Sequence, residues 1–373
     1  MRLAPLDSCI YLYLKALKAL DKRQTDLRYL KPDEVKNILV VSSTAIGDTL
    51  LSTPAIRAVR RGYPKAKIVA LFNKGNMELF ENNPNIDGII PYHGGWKRFR
   101  ATIDELKRHS FDLALIFHGN EPQATPLCYL GGARFIIKLP NNSRFSFLLS
   151  NREPVVSWDS LGHGIEARLK VAGLAGCAPQ GERMELFIDK EGESKVEELL
   201  GGWGLKEGVL IGLQPGASTL SRQWFPERFI ELGKRLVDNG HKVILTGSPE
   251  EAALCGKIAE GIGGGAFVAA ERLNLKAVPA LIKRLSAFVT GDTGPMHIAI
   301  TVGTPVVALY AVADARKTGP LYDRQRHRVI QKDRTCEPCS LKKCRYQKCM
   351  ENISADEVFN AVMDVLGKRA GRV

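Results

Sequence analysis

The sequence lacks a run of about 18 uncharged apolar residues, the length that a helix needs to cross a bilayer. An apolar core does lie within the first twenty residues, but Asp7, Lys15 and Lys18 interrupt it, and no small-residue cleavage site follows it. These two absences argue against an integral membrane protein and against a secreted one. We therefore expect a cytoplasmic protein.

Motifs that would identify a chemistry directly are also missing. The segment 42–64 follows a predicted strand but contains neither the Gly-Lys-Ser/Thr of a P-loop nor a Gly-x-Gly-x-x-Gly dinucleotide turn. The stretch TGDTGPMHIA (290–299) includes the Asp-Thr-Gly of aspartic proteases, yet the chain has no second copy and the surrounding pattern is not all-β. The sequence also has no convincing Asp-x-Asp motif for a metal-bound nucleotide sugar.

Negative charge is scarce relative to positive charge. The 373 residues carry a formal net charge of +13, and between residues 316 and 348 there are 11 Lys or Arg against 3 acids. This excess predicts an acidic partner, which could be nucleic acid, anionic lipid or a phosphorylated substrate. The alternative is ordinary solvated surface charge. With 45% hydrophobic residues, the chain is long enough to form two domains with real cores.

Short continuous apolar runs alternate with longer amphipathic stretches. Runs such as ILVVSS (38–43) and LALIF (113–117) lack polar alternation, which predicts strands buried on both faces. The alternation is weak across 141–208 and resumes with VLIGLQPGA (209–217). It therefore predicts two doubly wound parallel sheets in tandem, with chemistry in the loops beyond the carboxyl ends of the strands.

Those loops hold polar residues whose roles the pattern leaves open. Asp48 lies beside the predicted start of a helix, where it is either a cap or a general base. Arg222 follows a loop of small residues and either pairs with a surface acid or clamps phosphate. Glu250 lies in an acidic first turn and either stabilises the helix dipole or accepts a ribose hydroxyl. In TGDTGPMHIA, Pro295 begins a helix whose free N–H groups suit an anion.

Four stretches taken together resemble glycosyltransferase family 9, the family of ADP-heptose:lipopolysaccharide heptosyltransferases. The resemblance runs in order from about residue 37 to 322 and implies an α/β GT-B fold, in which two Rossmann-like doubly wound domains face a cleft. The four stretches are ILVVSSTAIGDTLLSTPAIRAVRRGYPKAKI, GLQPGASTLSRQWFPERFIELGKRL, LTGSPEE and VTGDTGPMHIAITVGTPVVALYAVADARKTGPLY.

The resemblance also implies roles for individual residues. Asp48 matches the catalytic general base, which takes a proton from the acceptor hydroxyl. Arg222 matches a basic position, often lysine in the family, that steadies the leaving diphosphate. The residues that match donor-binding positions are Ser218, Thr219, Glu250, Leu273, Asp292, Thr293, Gly294 and His297.

The implied reaction is inverting transfer of a heptose or related sugar from a nucleotide-diphosphate donor, with ADP-heptose expected, to a lipopolysaccharide core or similar glycolipid. No cofactor is expected for catalysis, because fixed cations and dipoles can stabilise the leaving group. The expected domains are a basic amphipathic segment (1–36), an acceptor domain (37–195), a donor domain (196–332) and a Cys-rich segment with a terminal helix (333–373). The first segment either touches the anionic inner face of the bacterial inner membrane or packs on its domain.

Four clustered cysteines give a rival hypothesis. Cys336, Cys339, Cys344 and Cys349 have the spacing C-x2-C-x4-C-x4-C, which suits a structural zinc ion or iron–sulfur cluster. The alternative is reduced thiols or disulfides. Because basic residues surround the cluster, a metal- or nucleic-acid-binding module is a second hypothesis, although nucleic acid is not the expected partner. A nucleotide-sugar epimerase on the same fold is the third.

Overall fold

The structure is a computed structural model that describes residues 5–118, 122–336, 339, 344 and 346–370. The chain forms two compact units, Met1–Met184 and Glu185–Val373. Among the described residues, no helix is long and apolar enough to span a membrane.

The first unit is built on a sheet of five parallel strands in the order β3-β2-β1-β4-β5. Its central strands are buried along almost their whole length, as their unbroken apolar sequences predict. The elements are β1 (Asn37–Ser42), β2 (Lys67–Asn73), β3 (Gly88–Tyr92), β4 (Leu113–His118), β5 (Phe135–Lys138), α1 (Pro5–Leu20), α2 (Ile46–Gly62), α3 (Phe99–Lys107), α4 (Ala124–Leu130) and α5 (Gly164–Leu174).

The helix α2 contains a proline at position 54, where the ring removes the N–H that would bond to the carbonyl of Leu50. The hydroxyl of Thr53 donates to that carbonyl at 2.7 Å instead. This side-chain bond replaces the missing backbone bond, and α2 continues to Gly62.

Residues 1–36 are not separate from the domain that follows. Leu14 of α1 is completely buried in the core of the first unit. Tyr11 packs against Phe145 and Phe147, with ring centroids 6.1 and 5.4 Å apart. Burial of a leucine side chain contributes roughly 1.5–3 kcal/mol, so α1 belongs to the first unit energetically as well as by position.

The second unit is built on six parallel strands in the order β11-β10-β9-β6-β7-β8. The terminal helix α12 packs into its core through Val358, Val362 and Val365. The elements are β6 (Leu210–Gln214), β7 (Lys242–Leu245), β8 (Ala266–Val268), β9 (Ala287–Gly291), β10 (Val306–Tyr310), β11 (Arg328–Gln331), α6 (Lys190–Gly202), α7 (Pro226–Asp238), α8 (Ala252–Ile262), α9 (Val278–Arg284), α10 (Gly294–Val302), α11 (Ala315–Thr318) and α12 (Ala355–Ala370).

The junction between the units lies between Met184 and Glu185, earlier than the expected boundary at 195/196. Residue 195 falls inside α6, which begins with Asp189 as its cap and packs against α9 of the second unit. A helix that contributes to one core cannot be divided by a domain boundary. The terminal segment 333–373 likewise supplies α12 to the core of the second unit.

Each sheet reverses its strand order once, and the reversal marks the expected ligand site. In the first unit the chain runs outward from β1 through β2 to β3 and then returns to the other side of β1 with β4. In the second unit it runs from β6 through β7 to β8 and returns beside β6 with β9. The loops that follow β1 and β4, and those that follow β6 and β9, are therefore the places to look for chemistry.

The described part of the Cys-rich segment shows one buried thiol, that of Cys349, which accepts a hydrogen bond from the backbone N–H of Thr335 at 3.4 Å. Cys336 is exposed, whereas Cys339 and Cys344 are half-buried. Within the described residues, which leave out several that lie between these cysteines, no three His, Cys, Asp or Glu side chains are placed to hold a metal ion. A structural metal in this segment stays a prediction.

Candidate active site

Asp48 lies in the first turn of α2, directly beyond the carboxyl end of β1. Its Oδ2 accepts a hydrogen bond of 2.8 Å from the hydroxyl of Thr44, and its Oδ1 lies 3.1 Å from Nη2 of Arg168 and 3.4 Å from Nε2 of His118. The side chain of Asp48 keeps 28% of its surface exposed. The carboxylate is therefore held by cationic and polar groups and still reaches solvent.

His118 ends β4 and connects the two loops at the switch point of the first sheet. Its Nδ1 lies 2.7 Å from the hydroxyl oxygen of Thr44. Because Thr44 has one hydroxyl proton and donates it to Asp48, its oxygen accepts the proton of Nδ1. The other ring nitrogen, Nε2, faces Oδ1 of Asp48.

Arg168 lies on α5, which packs against α2, and only 2% of its side chain is exposed. Its Nη1 donates to the carbonyl of Gly164 at 2.7 Å, and its Nε donates to the hydroxyl of Ser52 at 3.0 Å. Burial lowers the pKa of the guanidinium, and the carboxylate of Asp48 opposes that shift. These contacts hold the cation in one position beside Asp48.

The switch point of the second sheet holds a corresponding acid and cation. Asp292 follows β9, and its Oδ2 lies 3.4 Å from Nη2 of Arg222. Its Oδ1 accepts from the hydroxyls of Thr318 at 3.2 Å and Tyr310 at 3.4 Å. Burial and the nearby carboxylate raise the pKa of Tyr310 well above its usual value, so the phenol stays a hydrogen-bond donor. Of the alternatives for Arg222, pairing with an acid is observed, and the acid is itself a candidate site residue.

Gly291 sets the spacing between Arg222 and Asp292. A Cβ atom at Gly291 would lie 2.7 Å from the carbonyl oxygen of Arg222, which is closer than real Cβ contacts come. The absence of a side chain thus lets the loop after β6 lie directly on the end of β9. This glycine serves the packing of one loop on another strand.

The helix α10 begins at Gly294 after the cap residue Thr293, with Pro295 in its first turn. The hydroxyl of Thr293 lies 2.9 Å from that of Thr290 and makes no side-chain capping bond to the helix. The helix therefore starts at the same edge of the sheet as Arg222, with its positive end beside Asp292. His297, one turn into the helix, is buried.

The remaining candidates also lie beyond the carboxyl ends of strands in the second sheet. Ser218 is exposed in the loop after β6, and Thr219 caps the short 3-10 helix that carries Arg222. Glu250 follows β7 and is exposed, and a hydrogen bond from Ser248 lowers the pKa of its carboxyl. Leu273 is half-buried in the loop between β8 and α9. The topology thus brings all these loops to one edge.

Glu251, next to Glu250, has a structural role. Its carboxylate accepts from the backbone N–H of Ser248 at 2.9 Å in a capping box, and from the side-chain amide of Gln214 at 3.1 Å. It also fills the space over Gly216, where a Cβ would lie only 1.9 Å from a carboxylate oxygen. Of the two acids in this turn, Glu250 is the one that faces solvent.

Each switch point holds one acid and one cation, but the acid is the more exposed of the two in the first unit and the cation in the second. In the first unit the acid Asp48 is 28% exposed, and its cation Arg168 is 2% exposed. In the second unit the cation Arg222 is 23% exposed, and its acid Asp292 is 10% exposed. The first site offers a carboxylate to a ligand, whereas the second offers a guanidinium and a helix N-terminus.

Comparison with known proteins identifies the family. Residues 99–350, more than half of the chain, match the sequence model described as glycosyltransferase family 9 (heptosyltransferase). The chain is a member of glycosyltransferase family 9. It is therefore a glycosyltransferase, and the resemblance inferred from the sequence is confirmed.

Relatives of this family 9 glycosyltransferase match most of its length. It is 26% identical to the lipopolysaccharide core heptosyltransferase of Haemophilus influenzae, over 76% of this chain and 82% of that protein. It is 25% identical to lipopolysaccharide heptosyltransferase 1 of Pseudomonas aeruginosa, over 84% of this chain and 89% of that protein. The solved structure of the E. coli ADP-heptose heptosyltransferase II matches with a TM-score of 0.74 at 23% identity, covering 90% and 99% of the two chains. This last match confirms the fold, with two Rossmann-like domains.

Sequence reasoning missed two residues of the candidate site, His118 and Arg168. His118 is the last residue of an apolar strand, and this position beyond the carboxyl end could have indicated it. Arg168 gave no such signal, because an arginine on a helix is normally read as surface charge. Only the packing of α5 on α2 shows that it is buried beside Asp48.

Proposed function

We propose that this family 9 glycosyltransferase transfers a heptose from ADP-heptose to a lipopolysaccharide core or a similar glycolipid, with inversion at the anomeric carbon. The names of its relatives support the substrates, since each is a lipopolysaccharide heptosyltransferase and one is an ADP-heptose enzyme. The observation that carries the proposal is the opposite exposure of the two switch points.

In the proposed reaction, Asp48 is the general base. Its exposed carboxylate takes the proton of the acceptor hydroxyl as that oxygen attacks the anomeric carbon. Arg168 and His118 orient the carboxylate, and neither needs to touch the substrate. The hydroxyl of Thr44 fixes the second carboxylate oxygen.

The second unit stabilises the leaving diphosphate. Negative charge develops on the diphosphate as the glycosidic bond breaks, and Arg222 with the N-terminus of α10 can stabilise it. Asp292 positions Arg222, while Thr293, Gly294 and His297 form and support the start of the helix. In this proposal, Ser218 and Thr219 contact the phosphates, and Glu250 and Leu273 contact the nucleoside. These fixed groups supply the stabilisation for which other enzymes use a metal ion.

The test is an incubation of purified protein with ADP-heptose, with and without a lipid A–core acceptor. We expect ADP release and a heptosylated acceptor only when both substrates are present, and NMR of the product should show an inverted anomeric centre. Conversion of the nucleotide sugar without an acceptor would favour the epimerase alternative. Absence of any turnover with a panel of nucleotide sugars and acceptors would contradict the proposal.

Peripheral contact with the inner membrane belongs to the same proposal. Leu12, Tyr13 and Leu20 on α1 are 57–78% exposed, although Leu14 of the same helix is buried. Lys15 lies beside this apolar stripe and is exposed. We expect co-sedimentation with vesicles that contain phosphatidylglycerol, and loss of binding in the variant Leu12→Ser/Leu20→Ser. The variant Tyr29→Ser, at an exposed tyrosine outside the helix, is the control; equal binding by both variants would rule out α1 as the contact.

The Cys-rich segment needs its own measurement. Elemental analysis of the purified protein tests the predicted structural zinc or iron. A salt-dependent DNA or RNA binding assay tests the nucleic-acid hypothesis, which predicts affinity that falls steeply as salt rises. If the protein contains no metal and does not bind nucleic acid, the hypothesis of a metal- or nucleic-acid-binding module is wrong. The proposed sugar transfer would be unaffected.

A further inference from the structure

Arg222 lies on a turn that has little support of its own. The turn is a single 3-10 helix, Leu220–Arg222, with backbone hydrogen bonds of 3.0 Å from Arg222 to Thr219 and from Gln223 to Leu220. Short helices of this kind have poor hydrogen-bond geometry, and Leu220 is 45% exposed rather than packed. The position of the Arg222 guanidinium therefore depends on contacts from other parts of the second unit.

The segment 347–353, which connects the clustered cysteines to α12, supplies two such contacts. The side-chain amide of Gln347 donates to the backbone carbonyl of Gln223 at 3.1 Å. In the opposite direction, the indole N–H of Trp224 donates to the carbonyl of Ile353 at 3.0 Å. The segment thus holds the chain at the two residues that directly follow Arg222.

The segment 347–353 is itself fixed in the core of the second unit. Met350 and Ile353 are 1% and 0% exposed, and both belong to the same apolar cluster as Trp224. The N–H of Met350 donates to the carbonyl of Gln347 at 2.7 Å, so Gln347 begins a turn whose other end is buried. The side-chain amide of Gln347 therefore extends from a fixed position.

Other parts of the unit hold the turn from its remaining sides. The side-chain amide of Gln223 donates to the carbonyl of Ala217, in the loop after β6, at 3.1 Å. The backbone of Arg222 lies against the end of β9 at Gly291. Loss of the Gln347 amide would remove one of these supports and would leave the carbonyl of Gln223 without that donor.

We propose that Gln347 is a positioning residue for Arg222, and that the Cys-rich segment thereby forms part of the donor site. The inference rests on the proposed function, in which Arg222 stabilises the leaving diphosphate. A displacement of about 1 Å in a reacting or stabilising group can lower a rate by about 10²-fold, so one hydrogen bond to the turn is enough to matter. The segment that the rival hypothesis treats as a separate module contributes to the transferase itself.

Steady-state kinetics with ADP-heptose and a lipid A–core acceptor test the proposal. Gln347→Met keeps the length of the side chain without the amide, and should lower kcat/KM for the donor about tenfold, with the acceptor KM within about twofold of the wild type. Gln347→Lys retains an N–H donor and should recover most of the loss. Gln325→Met is the matched control and should change neither constant, because Gln325 is exposed at the amino end of β11, the opposite edge of the same sheet.

A double-mutant cycle separates positioning of Arg222 from a general effect on the fold. If Gln347 acts through Arg222, Gln347→Met should lower the donor kcat/KM about tenfold in the wild type and less than about twofold in the Arg222→Met background. Losses of equal size in both backgrounds, or no loss in the wild type, would overturn the proposal. Melting temperatures of all four proteins verify that each is folded.

Binding of ADP gives a readout that needs no turnover. Gln347→Met should weaken ADP binding about fivefold in the wild type, measured by isothermal titration calorimetry, and should not weaken it in Arg222→Met. Such coupled binding without any transfer would leave the positioning role and overturn the proposed substrates. Transfer by the wild type with additive losses in the two variants would overturn the positioning role and leave the transferase.

Discussion

The two units of this glycosyltransferase use the same parallel-sheet architecture and place an acid–cation pair at the same point of it, yet they expose opposite members of the pair. Asp48 reaches solvent over a buried Arg168, whereas Arg222 reaches solvent over a nearly buried Asp292. The residue types alone do not distinguish the two sites. Burial decides which charge a ligand meets, and so which unit can accept a proton and which can bind an anion.

The largest expected effect is that of Asp48→Asn, which keeps the shape of the side chain but cannot take a proton. Transfer should fall by about 10²–10⁴-fold, with KM values little changed. Asp292→Asn keeps a polar partner for Arg222 and should lower kcat far less. The measurement is steady-state kcat for both variants. A larger loss in Asp292→Asn than in Asp48→Asn would reverse the assignment of base and anion site.

Replacement of the buried cation should affect folding more than replacement of the exposed one. Arg168→Met leaves Asp48 without its main partner and removes the donors to Ser52 and Gly164, so the free energy of unfolding should fall by about 3 kcal/mol. Arg222→Met, at a partly exposed site, should cost less than about 1 kcal/mol. Urea unfolding of both variants measures the difference, and equal losses would show that burial does not separate the two pairs.

Replacement of the exposed cation should affect donor chemistry more than folding. Arg222→Met removes a fixed positive charge from the leaving diphosphate and should lower kcat/KM for ADP-heptose by about 10²-fold. Because lysine also carries a fixed positive charge, Arg222→Lys should recover most of the activity. An unchanged kcat/KM in Arg222→Met would leave Arg222 as the partner of Asp292 alone.

Acid should destabilise the second unit through His327, which belongs to neither of the two acid–cation pairs. Burial lowers the pKa of His327 to about 4, and its Nδ1 accepts from the N–H of Val306 at 3.2 Å. The neutral ring is favoured in the folded state, so its contribution is complete above pH 6.5 and is lost as the pH falls towards 4. We expect a loss of about 3 kcal/mol between pH 7 and 4 relative to His327→Gln, measured by urea unfolding. Parallel pH curves for the two proteins would contradict it.

The sequence predicted the central strands well because their burial on both faces leaves an unbroken apolar run. The runs ILVVSS (38–43) and LALIF (113–117) match β1 and β4 to within one residue at each end, and Asp48 does lie in the first turn of α2. The edge strands β5 and β11 were missed, since each has only four residues.

The site was predictable where topology alone determines position. Loops after parallel strands must meet at one edge, and Arg222 and Asp292 do lie 3.4 Å apart at that edge. Exposure was not predictable, because it depends on which helices cover each pair. The same limit hid Gln347, which lies 124 residues after Gln223 and meets it only through packing.

The close backbone contact at Gly291 bears on how fast a ligand can bind to the second unit. The missing side chain of Gly291 lets the backbone of Arg222 lie against the end of β9, where the Arg222 guanidinium pairs with Asp292 at 3.4 Å without a ligand. The guanidinium is therefore in position before a diphosphate arrives, and little ordering of this loop remains for the encounter. We therefore expect association of the proposed diphosphate at this site to be limited by diffusion and charge attraction, with a rate that falls as ionic strength rises.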